Sequence, residues 1–203
     1  LGVSNHKVLS PIADTLYKFQ VYVPKAARNE VAEAVFAAGG GKVSAYEECS
    51  FTTSGTGTFK PTKGTNPVIG EIGKREEVDE VTLEFIVHHF VKSAVERAAR
   101  AAHPYEEMAY EWLNIANKAT DYGAGAYGEL PEAMPFDAFL EHVKTTFGTT
   151  IRYTRPIADK VHTVAVCGGS GSFLLGAAKA MKADVFLTAD YKSHQFFDAD
   201  AAI

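Results

Sequence analysis

The sequence predicts a mixed chain, α+β in its first part and α/β in its last. Three observations carry this expectation. Residues 17–115 switch between strand-like and helix-like spacing in the order β-α-β-β-α-β, the split βαβ or ferredoxin-like arrangement. The run Val164-Ala165-Val166-Cys167-Gly168-Gly169-Ser170-Gly171-Ser172 ends an apolar strand in a glycine-serine loop, and a helical pattern and a second strand follow, making a strand–GGSGS–helix–strand unit. The 203 residues are 46% hydrophobic and 22% charged, the balance of an ordinary globular protein of one or two domains.

The elements follow in order. Leu16-Tyr17-Lys18-Phe19-Gln20-Val21-Tyr22-Val23 alternates and stops at Pro24, as a strand does. Val31, Ala34, Val35 and Ala38 recur at helical spacing, and Gly39-Gly40-Gly41 ends that helix. Residues 43–51 read as a second strand, and residues 81–87 as a third with Leu83, Phe85 and Val87 on one face. Between them, residues 52–73 are rich in glycine, threonine and proline, which predicts a long hairpin-like excursion. Residues 91–102 form a helix and residues 109–113 a last strand. Gly123-Ala124-Gly125-Ala126-Tyr127-Gly128 reads as a flexible joint. Residues 136–147 then make an amphipathic helix with Phe136, Phe139, Leu140, Val143 and Phe147 on one face and Asp137 in the first turn. Residues 151–153 are a short strand, and residues 173–181 and 183–187 supply the helix and strand after the glycine loop.

Charge and cysteine use narrow the function classes. The net charge of -5, with dispersed lysines and arginines, gives no electrostatic basis for binding nucleic acid or an anionic membrane. No apolar run is long enough to span a bilayer, and no secretory signal opens the chain. The two cysteines, Cys49 and Cys167, lie far apart in strand-like contexts; that argues against a disulfide framework and for a cytoplasmic location. A lone buried thiol is usually a small hydrophobe, so Cys167 is not expected to be catalytic. The chain opens on Leu1 and closes on Ile203 directly after a helical segment, where a doubly wound sheet would gain another strand. It is therefore expected to be a piece of a longer protein.

Chemistry is expected where loops leave the carboxyl ends of strands. Gly168, Gly169 and Ser170 can line a pocket there, binding an anion through backbone amides at a helix start, or simply allow close strand–helix packing; Ser170 or Ser172 can cap the helix. The loop lacks the Gly-Lys-Ser/Thr of a phosphate-binding Walker loop and the spacing of a dinucleotide fingerprint. Asp190 and His194 are four residues apart at the exit of the following strand. Asp190 can orient a ligand histidine, or Asp190 can be a helix N-cap beside an exposed His194. His103-Pro104-Tyr105-Glu106-Glu107 puts an imidazole beside two carboxylates, so His103, Tyr105 and Glu106 form a secondary candidate for a weak metal site; in the other reading the proline stops a helix and the tyrosine anchors the turn. His88-His89 ends a strand, where adjacent side chains point to opposite faces, and reads as a solvated strand end.

Several strings in this order carry a family resemblance: Tyr46-Glu47-Glu48-Cys49-Ser50-Phe51, Gly55-Thr56-Gly57-Thr58-Phe59, Asn66-Pro67-Val68-Ile69-Gly70-Glu71, His103-Pro104-Tyr105-Glu106-Glu107, Gly128-Glu129-Leu130 and the Val166 to Ser172 loop. Together they resemble the NGG-interacting-factor-three-like dinuclear-metal family, often called GTP cyclohydrolase 1 type 2 homologues, in the longer bacterial form with an inserted domain similar to CutA and PII proteins. The resemblance implies that residues 1–15 are the tail of the first half of the metal-binding domain. Residues 16–116 would then be the CutA/PII-like domain, and residues 117–203 an incomplete second half.

The family holds two divalent metal ions with a His-His pair and an Asp from its first half, and with a His and a Glu from near its C-terminus. Neither set has a counterpart here, so no residue of this chain is expected to be a metal ligand or a catalytic group. The resemblance implies a metal-dependent hydrolase for the longer protein, or else a regulatory or assembly module in which the CutA/PII-like domain binds a small ligand or metal. It also implies self-association, as a trimer or hexamer, through paired sheet edges. A small molecule or nucleotide is the expected kind of ligand.

Overall fold

The computed structural model describes residues 1–200 and Ile203. In chain order its elements are β1 (Ser4–Pro11), β2 (Leu16–Pro24), α1 (Arg28–Ala37), β3 (Phe51–Phe59), β4 (Glu76–His88), α2 (Lys92–Ala102), β5 (Tyr110–Asn114), β6 (Gly123–Pro135), α3 (Phe136–Phe147), β7 (Lys160–Ser170), α4 (Leu175–Ala180), β8 (Val185–Ala189) and α5 (Gln195–Ala199). The chain divides into two compact units, one of Ala13–Lys118 and one of Leu1–Ile12 with Ala119–Ile203. A mixed α/β chain with two sheets is thus borne out.

The 13–118 unit has an antiparallel sheet in the order β3-β4-β2-β5, with the elements running β-α-β-β-α-β. Period-two alternation on the two central strands explains its core. Phe19 lies opposite Phe85, Val21 opposite Leu83 and Val23 opposite Val81. All six are buried against Val31 and Val35 of α1 and Val95 and Ala99 of α2. Each large side chain so buried contributes about 1.5–3 kcal/mol.

The edge strand β5 is fastened to α2 by polar groups. Tyr110 Oη and Trp112 Nε1 both donate to the Glu96 carboxylate, at 2.9 and 3.0 Å. The Trp112 bond is the main cause of a Glu96 carboxyl held below its ordinary range, against the opposing effect of burial. Lys92 Nζ sits 4.2 Å from the Tyr17 ring centroid and 4.9 Å from that of Trp112, a cation–π contact that closes the same edge.

One expectation fails in this unit. The strand predicted over residues 43–51 does not form: residues 43–50 are an irregular segment with a single bridge between Val43 and Tyr46, and Cys49 lies in it. The strand is β3, which with β4 makes the predicted hairpin-like excursion, and residues 60–75 form the connecting loop. The threonines and glycines of β3 are almost all exposed and so show no burial alternation. Its extended state comes from a nine-residue ladder with β4, from Phe51 opposite Glu84 to Phe59 opposite Glu76.

The other unit has the sheet order β1-β6-β7-β8, antiparallel except for the parallel pair β7 and β8. Helices cover both faces. Val161 and Val164 pack with Phe139 and Val143 of α3, whereas Ala165 packs with Leu174, and with Leu175 and Ala178 of α4. The helix α3 has the predicted bounds and ends at left-handed Gly148, whose N–H bonds to Lys144 O at 2.8 Å. Phe147 departs from the predicted buried stripe and is 58% exposed.

At the start of β8, the Asp184 carboxylate accepts the His162 and Thr163 N–H groups and the Thr163 hydroxyl, at 2.9, 2.7 and 2.8 Å. This fixes β8 against β7. Two further expectations fail here. Gly123–Gly128 is not a joint but the first half of β6, held between β1 and β7. Residues 151–153 are irregular rather than strand.

Candidate functional site

The strands β7 and β8 run parallel, so their carboxyl ends open on the same side, where ligand sites form in open α/β sheets. A cleft of ≈ 1000 Å³ lies there. One wall is apolar, built from Val143 and Phe147 of α3, Val164 and Val166 of β7, Leu187 of β8, and Phe196. The polar lining comprises His6, Thr149, Thr150, Arg152, Cys167, Thr188, Asp190 and Tyr191. An apolar cleft with a few converging polar groups is the usual form of a small-molecule site. Burial pushes the Tyr191 phenol upward, with the Asp198 carboxylate adding to it, so this hydroxyl stays protonated and able to donate. A smaller cavity of ≈ 140 Å³ on the same unit shares Arg152, Thr188, Tyr191 and Phe196.

The glycine-serine loop borders the cleft through Gly168 and Gly169. Gly169 adopts a φ of 69°, a left-handed conformation open to glycine at little cost. Thr188, at the end of β8, fixes the loop: its hydroxyl accepts the Gly171 N–H at 2.8 Å and lies 2.9 Å from Gly169 O, to which it donates. Two details correct the sequence reading. Ser170 and Ser172 do not cap, because the helical turn after the loop starts from Gly171 and α4 from Leu174, neither with a side-chain cap. The helix α4 runs only over Leu175–Ala180, too short to focus a helix dipole on an anion at the loop.

Asp190 borders the cleft in the left-handed region at φ 54°. A non-glycine residue held there stores strain of order 1–3 kcal/mol, and such residues gather at functional sites. Asp190 does not cap a helix, since α5 starts five residues later at Gln195, with His194 at its N-cap. The four-residue spacing of Asp190 and His194 therefore does not place them on one helical face, and His194 is exposed and outside the cleft lining.

The secondary candidate lies in the other unit. His103 is 7% exposed, and both of its ring nitrogens are engaged. Nδ1 accepts the Tyr105 N–H at 3.1 Å, leaving Nε2 to donate to Tyr22 O at 2.8 Å. This is the geometry of a turn anchor. The Tyr105 phenol is pushed up to about 12, first by burial and then by the neighbouring Glu80 carboxylate. The Glu106 carboxylate accepts the Asn66 N–H at 2.9 Å. His88 ends β4 and stacks on Phe90 at 5.1 Å, while His89 meets the same ring edge-on at 5.5 Å.

Sequence reasoning passed over Arg152 and His6 as site residues, and reached Thr188 and Tyr191 only within the Thr188 to His194 string that the family resemblance puts near its metal pocket. The usable signal was at Thr188, a hydroxyl residue closing an apolar strand directly opposite a glycine loop. Among the described residues no group of three or more His, Cys, Asp or Glu is placed to hold a metal ion. The residues present therefore do not fit a dinuclear centre by themselves.

The pattern of the Duf34/NIF3 (NGG1p interacting factor 3) family matches residues 1–203. The chain belongs to this family. It is 39% identical over 201 residues to the GTP cyclohydrolase 1 type 2 homolog of Halalkalibacterium halodurans, a match covering 98% of this chain and 54% of the relative. The Bacillus subtilis protein of the same name is 37% identical, with the same coverage of both. Among solved structures, a Bacillus cereus protein related to NIF3 superposes with a TM-score of 0.78 at 38% identity, covering 98% of this chain and 53% of that one. The chain thus spans about half the length of the Duf34/NIF3 relatives it matches. No helix among the described residues is long and apolar enough to cross a membrane.

Proposed function

We propose that this span of the Duf34/NIF3 protein forms one wall of a small-molecule pocket in a cytoplasmic, metal-dependent protein of the dinuclear-metal type. The observation that carries the reading is the cleft at the carboxyl ends of β7 and β8, with its glycine edge and its strained Asp190. The metal ligands would come from the portion that the relatives have beyond the matched span, since the described residues offer no metal cluster. Bound metal would supply an activated water and a Lewis acid. This chain's own residues would do the rest: the apolar wall excludes water from a bound ligand, Arg152 offers a cation, and Thr188 keeps the loop in place. The relatives' name points to a nucleotide as the substrate to try first, and hydrolysis as the reaction.

The test is metal analysis by mass spectrometry, with a GTP hydrolysis assay, on this chain and on a protein of the relatives' length. The longer protein is expected to hold two metal ions per chain and this span well under one. Stoichiometric metal in the short span overturns the division of labour. A metal-free long form overturns the dinuclear reading.

The 13–118 unit supports a second reading, assembly. Its outer strand β3 is nine residues without a charge or proline, seven of them exposed, an edge that proteins normally cover or pair. The element order fits the CutA/PII-like domain, so this unit is proposed to join copies into a trimer or hexamer. Light scattering that finds a strict monomer at micromolar concentration overturns it.

A further inference from the structure

Gly168 is a glycine that the fold itself does not require. Its neighbours are easily explained. Gly169 needs its positive φ, and a Cβ on Gly171 would stand 2.5 Å from Thr188 Oγ1 and 2.6 Å from Cys167 Cβ. Gly168 has no left-handed backbone, and a Cβ built on it meets no atom within 4 Å. Gly55 and Gly176 are equally open, but neither borders the cleft; Gly168 does. It follows Val166 and Cys167 on β7, where the pairing with β8 shifts register, and it borders the cleft beside the Val164 and Val166 that form the apolar wall.

We infer that the occupant of the cleft lies flat against the bare peptide at Gly168, and that a side chain there would take the occupant's place. The inference rests on the reading of the cleft as a small-molecule site. The lining sets the ligand's class: a flat apolar or aromatic body for Val164, Val166, Leu187 and Phe147, with an anionic group for Arg152. Arg152 is the one arginine or lysine in the lining, and Asp190 is its acidic counterweight. A nucleotide has both parts.

The cleft carries its own reporter. Cys167 lines it beside Gly168, and Cys49 is the only other thiol, so Cys49→Ser leaves one alkylation site. Iodoacetamide labelling of Cys167 is followed by mass spectrometry in the whole chain, with GTP, guanosine or inorganic triphosphate as the probe. GTP is expected to protect best, because it satisfies the wall and Arg152 together. Gly168→Ala is expected to weaken that protection by about 10–200-fold, the range for one methylene at a close-fitting contact, while the melting temperature is unchanged or slightly raised. Gly176→Ala, which meets equally open space away from the cleft, should leave protection intact.

Protection that survives Gly168→Ala at the same GTP concentration overturns the inference alone, as does a clear fall in melting temperature showing that the fold needs this glycine. If no probe protects Cys167 in the parent chain, both the inference and the small-molecule reading beneath it are overturned.

Discussion

Replacing Thr188 by valine tests whether a single hydroxyl holds the glycine loop. Valine has nearly the same shape, so the change creates no cavity and removes only polar contacts. Two hydrogen bonds are lost, the one from Gly171 N–H at 2.8 Å and the one to Gly169 O at 2.9 Å. Gly171 is buried, with Thr188 and Cys167 filling the space where a Cβ would stand, so its amide has no ready alternative partner. Leaving such groups unpaired costs about 1–3 kcal/mol. If the loss is confined to the loop, amide hydrogen exchange at Gly171 should speed up by roughly 5–150-fold, the equilibrium factor for that energy. Amides in the other unit should be unaffected. Thr188→Ser keeps the hydroxyl and gives up one methyl group, at most about 0.8 kcal/mol, so it should restore most of the protection. The measurement is exchange read by mass spectrometry on the peptide spanning residues 164–175. Equal exchange in the valine and serine variants would refute the account, because the loop would then be held by its backbone and not by this side chain.

Other perturbations probe the two cores. Phe19→Ala removes a fully buried ring stacked beside Phe85, and should cost about 3–5 kcal/mol by chemical denaturation of the 13–118 unit. Trp112→Phe keeps the ring contacts but leaves Glu96 without its strongest donor, so the Glu96 carboxyl should rise toward its ordinary value, as carbon-detected NMR titration would show. Asp184→Ala strands two amides and a hydroxyl, and should cost about 1–3 kcal/mol at neutral pH. Its pH dependence has a definite sign. Asp184 is buried, which raises its pKa, but the Thr163 and His162 hydrogen bonds outweigh that and hold it below its ordinary range. The unfolded chain therefore takes up the proton first as pH falls. Asp184's contribution is whole above about pH 4 and fades as acid approaches the lower folded value, so the alanine variant should show a flatter loss of stability there.

The elements legible in the sequence are those whose burial pattern matches their own period. The alternation of Phe19, Val21 and Val23 faces a single core, and Phe139, Leu140 and Val143 form one helical stripe; both were readable without any partner. The strands that escaped notice take their conformation from neighbours. Gly123–Gly128 looks like a hinge because glycine weakens a strand, yet here close approach requires it: a Cβ on Gly123 would fall 2.3 Å from Ser10 O of β1. The strand predicted over residues 43–51 rested on scattered apolar residues that the fold leaves exposed, Val43 and Tyr46 among them. In the cleft, the glycine loop was visible as a motif, but the part played by Thr188 depends on a parallel pairing made across an intervening helix. The left-handed state of Asp190 has no signature in sequence.

The two units solve their burial problem differently, and that difference locates the chemistry. The 13–118 unit gathers its apolar side chains into one core between a sheet face and two helices, with its polar groups spent on stitching, as at Glu96 and His103. Its edge strand β3 is largely exposed, and that is the surface proposed above for joining other copies. The other unit spends its apolar residues on two smaller cores, one on each face of the sheet. Val166 and Leu187 are packed on one side only, beside the cleft. All-parallel sheets normally have both faces covered, and β7 and β8 are the parallel part of this mixed sheet. On the reading proposed above, the cleft at the ends of β7 and β8 is where an occupant would complete that cover, with Gly168 as its point of closest approach.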